Sequence, residues 1–264
     1  MSGARAVFAG PGARRALVEG ARGQVELVLN GGGGYVRLGS SDWLLLTRPG
    51  APFGPLSLAV DGLDGLGLLP GTPARVTGDR LLVGDRPVSL ERMRLRPCVG
   101  AGVATVAVGA PLPNPPALLE HGIAALAGAR VTDAVRLLAG LGDGLTPAGD
   151  DVLAGYAAAR VALGAPVAIS PWASGRSSPI GLAYLRCAER GELPERLRAW
   201  GSSSGTAIAW GMNAAVFQST ERSYRCPDSD WGSTYSRTRR SSISPRPTAS
   251  GRWHGGMTRS SMRS

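Results

Sequence analysis

The sequence predicts an α+β protein: a β-rich N-terminal half, then a helical C-terminal half with glycine-rich loops at helix N-termini. Three observations predict it. Residues 1–110 break into short apolar or alternating runs divided by Gly, Pro and Asp, the texture of strands and turns. Past Pro116 the runs are longer, rich in Ala and Leu, and closed by glycine, as helices are. Between the two textures, Ala-Pro-Leu-Pro-Asn-Pro-Pro at 110–116 interrupts both helix and strand ladder. The expected division is therefore 1–112 (β-rich), 113–216 (helical) and 217–264 (an Arg/Ser-rich tail).

Taken in order, strands are expected over Gln24–Asn30, Tyr35–Gly39, Trp43–Thr47, Leu56–Val60, Ala74–Thr77, Leu81–Val83, Val88–Leu90 and Val103–Val108. Turns fall at Gly31–Gly34, Asp61–Gly67 and Gly84-Asp85. The four glycines at 31–34 lie between two strands with no helix after them, so they read as a hairpin and not as a phosphate loop. Helices follow over Ala117–Ala127 and Thr132–Leu138, closed by Gly128 and Gly140. A loop and helix at 140–163, a connector at Gly164–Ser178, a helix at Pro179–Arg190, a loop at Gly201–Gly205 and a helix at Thr206–Val216 complete the half. His121 reads as a helix histidine with a satisfied ring and not as a catalytic one, since no second histidine or cysteine accompanies it, and Cys187 as a small buried residue within an apolar pattern.

With 43% apolar residues, the 264-residue chain has material for a substantial core. The net charge of +10 suggests nucleic acid, but its distribution argues otherwise: residues 217–264 hold nine arginines against three acids, more than half of the excess. That tail has Ile243 as its sole Ile, Leu or Val, so it is expected to be disordered, and phosphate binding through it is the weakest functional reading. Three widely spaced cysteines without a Cys-x-x-Cys suggest neither zinc nor a disulfide framework and suit a reducing cytoplasm. No apolar run approaches membrane-spanning length, so no membrane association is expected.

The chemistry concentrates in Gly140–Gly155, Gly-Leu-Gly-Asp-Gly-Leu-Thr-Pro-Ala-Gly-Asp-Asp-Val-Leu-Ala-Gly. Gly140, Gly142 and Gly144 let backbone amides approach a ligand; Thr146-Pro147 reads as N-cap and first helical residue; Asp150 and Asp151 stand in the first turn. This is no Walker A loop, because the chain has no lysine, and no dinucleotide fingerprint, because no strand precedes it. It suits a small phosphate or carboxylate held by amides at a helix start. The two carboxylates are candidates for catalysis or for Mg²⁺, against a plain role in balancing the helix dipole. Adjacent helical residues point about 100° apart, so one is expected to face a ligand while the other caps or pairs. Ser203, Ser204 and Gly205, before the next helix, form a second candidate anion loop, and Arg176 and Arg186 are candidate anion clamps. The residues assign no cofactor.

The same run resembles the signature of the AllH-like family of oxamate carbamoyltransferase subunits. Supporting likeness lies in the β-rich half with its Pro52–Pro55 turn, in Ser177–Gly191, and in Trp-Gly-Ser-Ser-Ser-Gly at 200–205, so that the resemblance spans roughly residues 5–216. It implies a part in allantoin-derived purine nitrogen catabolism: phosphorolysis of oxalurate to oxamate and carbamoyl phosphate, in a complex with an acyl-CoA-synthetase-like subunit. By motif position it singles out Gly142, Gly144, Thr146, Gly149, Asp150 and Asp151. Two functional classes stay open at this point: an enzyme subunit binding a small anion at Gly140–Asp151, and a non-catalytic anion-binding or scaffold subunit with the same pocket.

Overall fold

The computed structural model describes residues 3–20, 22–98, 114–194 and 203–224. Its strands are β1 (Ala4–Ala9), β2 (Arg22–Val28), β3 (Gly34–Leu38), β4 (Asp42–Thr47), β5 (Ser57–Asp61), β6 (Pro73–Thr77), β7 (Arg80–Val83), β8 (Arg86–Ser89) and β9 (Arg94–Leu95). Helix α1 (Pro11–Glu19) lies between β1 and β2. After the strands come α2 (Ala117–Ala127), α3 (Val131–Leu138), α4 (Ala148–Ala162), the one-turn α5 (Ser170–Ala173), α6 (Pro179–Ala188) and α7 (Ser204–Tyr224). The architecture is α+β, as the sequence predicts.

The strands run in the order β5-β4-β3-β2-β6-β7-β8-β1, and β1 pairs back with β5, so the sheet closes into a barrel with β9 beside β1. Alternation explains the core. Val36, Leu38, Leu44, Leu46, Leu58, Val60, Leu81 and Val83 point inward and share one apolar cluster. Each fully buried Leu or Val contributes about 1.5–3 kcal/mol. The intervening Tyr35, Trp43 and Leu45 point outward, onto Ile180, Ala183 and Tyr184 of α6. A bulge in β2 matters here. Val25 pairs with Val36, but the register then slips, so that Leu27 pairs with Tyr35 and joins the outward face.

Helix α1 closes the barrel with Ala13, Ala16 and Leu17, which belong to the interior cluster. It also ties the barrel to the helical half, because the Arg15 guanidinium donates to both carboxylate oxygens of Glu192 at 2.6 Å. In that half, α4 and α7 cross at backbone contact. A Cβ at Gly155 would lie 1.9 Å from the Ile208 carbonyl oxygen, and one at Gly211 1.9 Å from that of Val152. Only glycine at both positions allows this approach.

The strands expected between 24 and 90 match β2–β8, and Gly31–Gly33 of the expected 31–34 turn lie between β2 and β3, with Gly31 and Gly32 at positive φ, while Gly34 opens β3 opposite Val28. Four of these elements were not anticipated: β1, α1, β9 and the one-turn α5, which lies within the expected connector. The strand expected over Val103–Val108 lies outside the described residues. The last helix starts at Ser204 and passes Val216, where the apolar pattern ends, to reach Tyr224. Polar contacts hold this extension. Gln218 is buried, and its side-chain oxygen accepts from Tyr156 Oη at 2.7 Å and from the Arg160 guanidinium.

Candidate functional site

The loop from Gly140 to Pro147 joins α3 to α4, and its two ends are fastened differently. Gly140, at φ +75°, passes so close to the connector that a Cβ would sit 2.1 Å from the Arg176 carbonyl oxygen. At the other end Gly149 seats α4 on α3: a Cβ there would lie 2.0 Å from the Leu138 carbonyl oxygen, and its amide donates to the Leu141 carbonyl. Gly149 therefore serves packing, and its amide is already used. Gly142 and Gly144 take positive φ (108° and 99°), and no neighbour would touch a Cβ on Gly144. Among the described residues, the amides of Gly142 to Thr146 find no acceptor.

The helix begins one residue later than the Thr-Pro signal suggests. Pro147 is the cap residue, extended at ψ 142°, and its carbonyl accepts from the amides of Asp150 and Asp151. Thr146 is thus not the N-cap. Its hydroxyl lies instead 3.2 Å from that of Ser204, at the start of α7.

Asp150 and Asp151 are both buried, 1% and 4% exposed, yet their surroundings differ. The Asp150 carboxylate accepts from the Gly140 amide (2.8 Å), the Ser177 hydroxyl (2.7 Å) and the Ser178 amide (3.2 Å). It thereby pins the loop to the start of α6, and Gly181 makes room for it, since a Cβ there would meet Asp150 Oδ2 at 2.3 Å. Ser178 completes the joint: its hydroxyl accepts from the Gly181 amide and donates to the Leu145 carbonyl. Burial pushes the Asp150 carboxyl above its ordinary range, and these three donors oppose the rise.

Asp151 faces the start of α7, and its Oδ2 has no hydrogen-bond partner. Burial pushes its carboxyl up to about 7; the Ser204 and Thr146 hydroxyls oppose that rise, and the neighbouring Asp150 charge adds to it. Across the seam stand two tyrosines, with the Tyr35 hydroxyl of β3 3.4 Å from the Tyr184 hydroxyl of α6. Burial raises both phenols, and the Asp151 charge adds to the rise in each. A cavity of about 420 Å³ opens beside this cluster, between Leu145, Thr146 and Ser204 on one side and Tyr35, Leu45, Thr47 and Pro52 on the other.

The structure thus brings Asp151, Thr146 and Ser204 together, with Gly142 and Gly144 on the adjoining loop. Asp150 and Gly149 work as structural joints. Ser203 is exposed, its carbonyl taking the Ala207 amide, and Gly205 is buried. The suggested arginine clamps lie elsewhere: Arg176 donates to the Arg136 carbonyl, and Arg186 lines a small cleft with Asp42. His121 is exposed; Cys187 is buried beside Arg15, its thiol pushed well up by burial. Sequence reasoning missed Ser177, Ser178, Tyr35 and Tyr184 as members of the cluster. Ser177-Ser178-Pro179 carries an N-cap signal that points to Ser178, whereas both tyrosines look like ordinary core aromatics. Among the described residues no three His, Cys, Asp or Glu side chains converge as a metal site would require, and no helix is long and apolar enough to cross a membrane.

Residues 138–199 match the family described as oxamate carbamoyltransferase subunit AllH. The matched segment contains the whole loop, α4, α5 and α6, and is shorter than the span over which the sequence suggested likeness. No curated protein and no solved structure matches the chain.

Proposed function

We propose that the chain is a subunit of a carbamoyl-transferring complex of the oxamate type and that it binds a small anionic substrate in the cavity beside the 141–147 loop. One observation carries the reading. The matched segment holds a buried carboxylate with an unpartnered oxygen, Asp151, behind an exposed loop whose amides are not taken by protein acceptors. Burying a polar atom without a partner costs about 1–3 kcal/mol, so such an atom marks a place where a ligand completes the hydrogen bonding.

The chemistry fits an α-amido carboxylate such as oxamate. Its carboxylate calls for donors, which the amides of the 142–146 loop offer, those of Gly149, Asp150 and Asp151 being taken by carbonyls; its amide N–H calls for an acceptor, for which Asp151 Oδ2 is the unpartnered group. In the transfer itself the oxamate nitrogen attacks the carbamoyl carbon of carbamoyl phosphate. The carbon–oxygen bond to phosphate breaks, phosphate leaves with the electron pair, and the nitrogen gives up one proton. A carboxyl held near 7 is matched to accepting that proton at neutral pH. The reverse direction, phosphorolysis of oxalurate, uses the same groups. Partner subunits, including one resembling acyl-CoA synthetases, complete the complex, and a cytoplasmic setting in purine catabolism follows from the same reading.

Calorimetry with oxamate, phosphate and carbamoyl phosphate, beside turnover by the reconstituted complex, tests this. Asp151→Asn is expected to abolish turnover while the circular dichroism spectrum stays that of the wild type. Unchanged turnover would remove Asp151 from the mechanism, and binding without any turnover would assign the chain a non-catalytic anion-holding role.

A further inference from the structure

We propose that Tyr35 is a ligand-binding residue of this same site, its hydroxyl donating a hydrogen bond to an oxygen of the anion held by the 141–147 loop, with Tyr184 orienting it. The inference rests on the functional reading above and adds the barrel to the site. Tyr35 belongs to β3 and lines the cavity together with Thr146 and Ser204, the two hydroxyl residues beside Asp151. Its ring is fixed from two sides: Trp43 meets it edge-on, at a centroid distance of 6.4 Å, and the Tyr184 hydroxyl lies 3.4 Å from its own.

Either hydroxyl of the pair can be the donor. An anion in the cavity selects one of the two orientations, the one in which Tyr184 donates to Tyr35 and Tyr35 donates to the anion. The surroundings strengthen that bond. Leu45, Ala51 and Pro52 make part of the neighbouring barrel wall apolar, and a charge-assisted hydrogen bond is stronger than one between neutral groups. The site then reads its ligand from two halves of the fold. Leu145, Thr146 and Ser204 come from the helical half, with Asp151 behind them, and Tyr35 comes from the barrel, where Leu27 is its cross-strand partner.

Oxamate is titrated calorimetrically into the full chain and into Tyr35→Phe and Tyr184→Phe, and each protein is melted in parallel. Phenylalanine keeps the ring and its contact with Trp43, so the melting midpoint is expected within about 2 °C of wild type, while Tyr35→Phe weakens oxamate binding by ~10-fold. Tyr184→Phe, which leaves the Tyr35 hydroxyl but removes its orienting partner, is expected to weaken binding by roughly 3-fold, less than one full hydrogen bond. Oxamate affinity equal to wild type in Tyr35→Phe, whether or not its midpoint falls, overturns this inference and leaves the functional reading standing. Failure of the wild-type chain to bind oxamate, phosphate or carbamoyl phosphate overturns both.

Discussion

The first turn of α4 meets two helix starts, and they are finished differently. Toward α6, Asp150 has three donors on its two oxygens, and Ser178 caps the helix and holds the loop at Leu145. Toward α7, Asp151 is equally buried but keeps one oxygen without a partner, facing hydroxyls instead of amides, with a cavity alongside. The same residue type, one position apart, thus serves as a joint on one side and as an unsatisfied group on the other. A buried carboxylate is tolerated in a fold when its oxygens are matched; left unmatched it costs stability.

The largest expected effect comes from breaking the matched side. Asp150→Ala leaves the Gly140 amide, the Ser177 hydroxyl and the Ser178 amide without their acceptor, and is expected to lower unfolding stability by ~3–5 kcal/mol in urea titration. Gly181→Ala is a second route to the same damage, because its Cβ would meet Asp150 Oδ2 at 2.3 Å. Stability within about 1 kcal/mol of wild type in both variants would show that Asp150 is no joint.

The unmatched side behaves differently with pH. Asp151 rises from an ordinary 3.8 to about 7 in the folded chain. Between those values the folded chain keeps a proton that the unfolded chain has released, so stability falls as the pH is raised through this window. The complete loss is on the order of 4 kcal/mol. Asp151→Asn removes the titrating group, and the difference in stability between variant and wild type is expected to grow in the variant's favour from pH 4 to 7 and then level off. Asp150 is also raised and contributes a slope of the same sign; because its charge is one cause of the Asp151 rise, the difference reports Asp151 together with that coupling. A flat difference would place Asp151 with the ordinary carboxylates.

Much of the barrel was legible because its strands alternate. Tyr35–Gly39 and Trp43–Thr47 show a period of two, and it separates the inward Val36, Leu44 and Leu46 from the outward Tyr35, Trp43 and Leu45. β1 was not, because Ala-Arg-Ala-Val-Phe-Ala is poor in strand-forming residues; its partners β5, β8 and β9 hold it in the sheet. The extension of α7 to Tyr224 was hidden for a related reason, since Gln218 is held by hydrogen bonds and not by an apolar stripe. The Asp-Asp pair stood out in the sequence, with the expectation that one faces a ligand while the other caps or pairs; the structure shows one carboxylate fully partnered and one not. Which would do which was not legible, because it depends on Ser177 and Ser178 at one helix start and Ser204 at another, far along the chain. Tyr35 was invisible as a cavity-lining residue, since in a strand pattern it is one more outward aromatic.

Ser204 gives the smallest effect and the sharpest comparison. Its hydroxyl favours the charged form of Asp151 and lies 3.2 Å from that of Thr146. Removing it in Ser204→Ala should therefore matter only where Asp151 is ionised. At pH 8 the charged carboxylate loses a donor, and stability is expected to fall by roughly 1 kcal/mol. At pH 5 Asp151 is protonated, and the loss should be close to zero. The same change lets the Asp151 carboxyl rise above about 7, so the falling limb of stability against pH moves to higher pH. Equal losses at pH 5 and pH 8 would mean that Ser204 supports the start of α7 and not the carboxylate, and the contrast between the two helix starts would then rest on Asp150 alone.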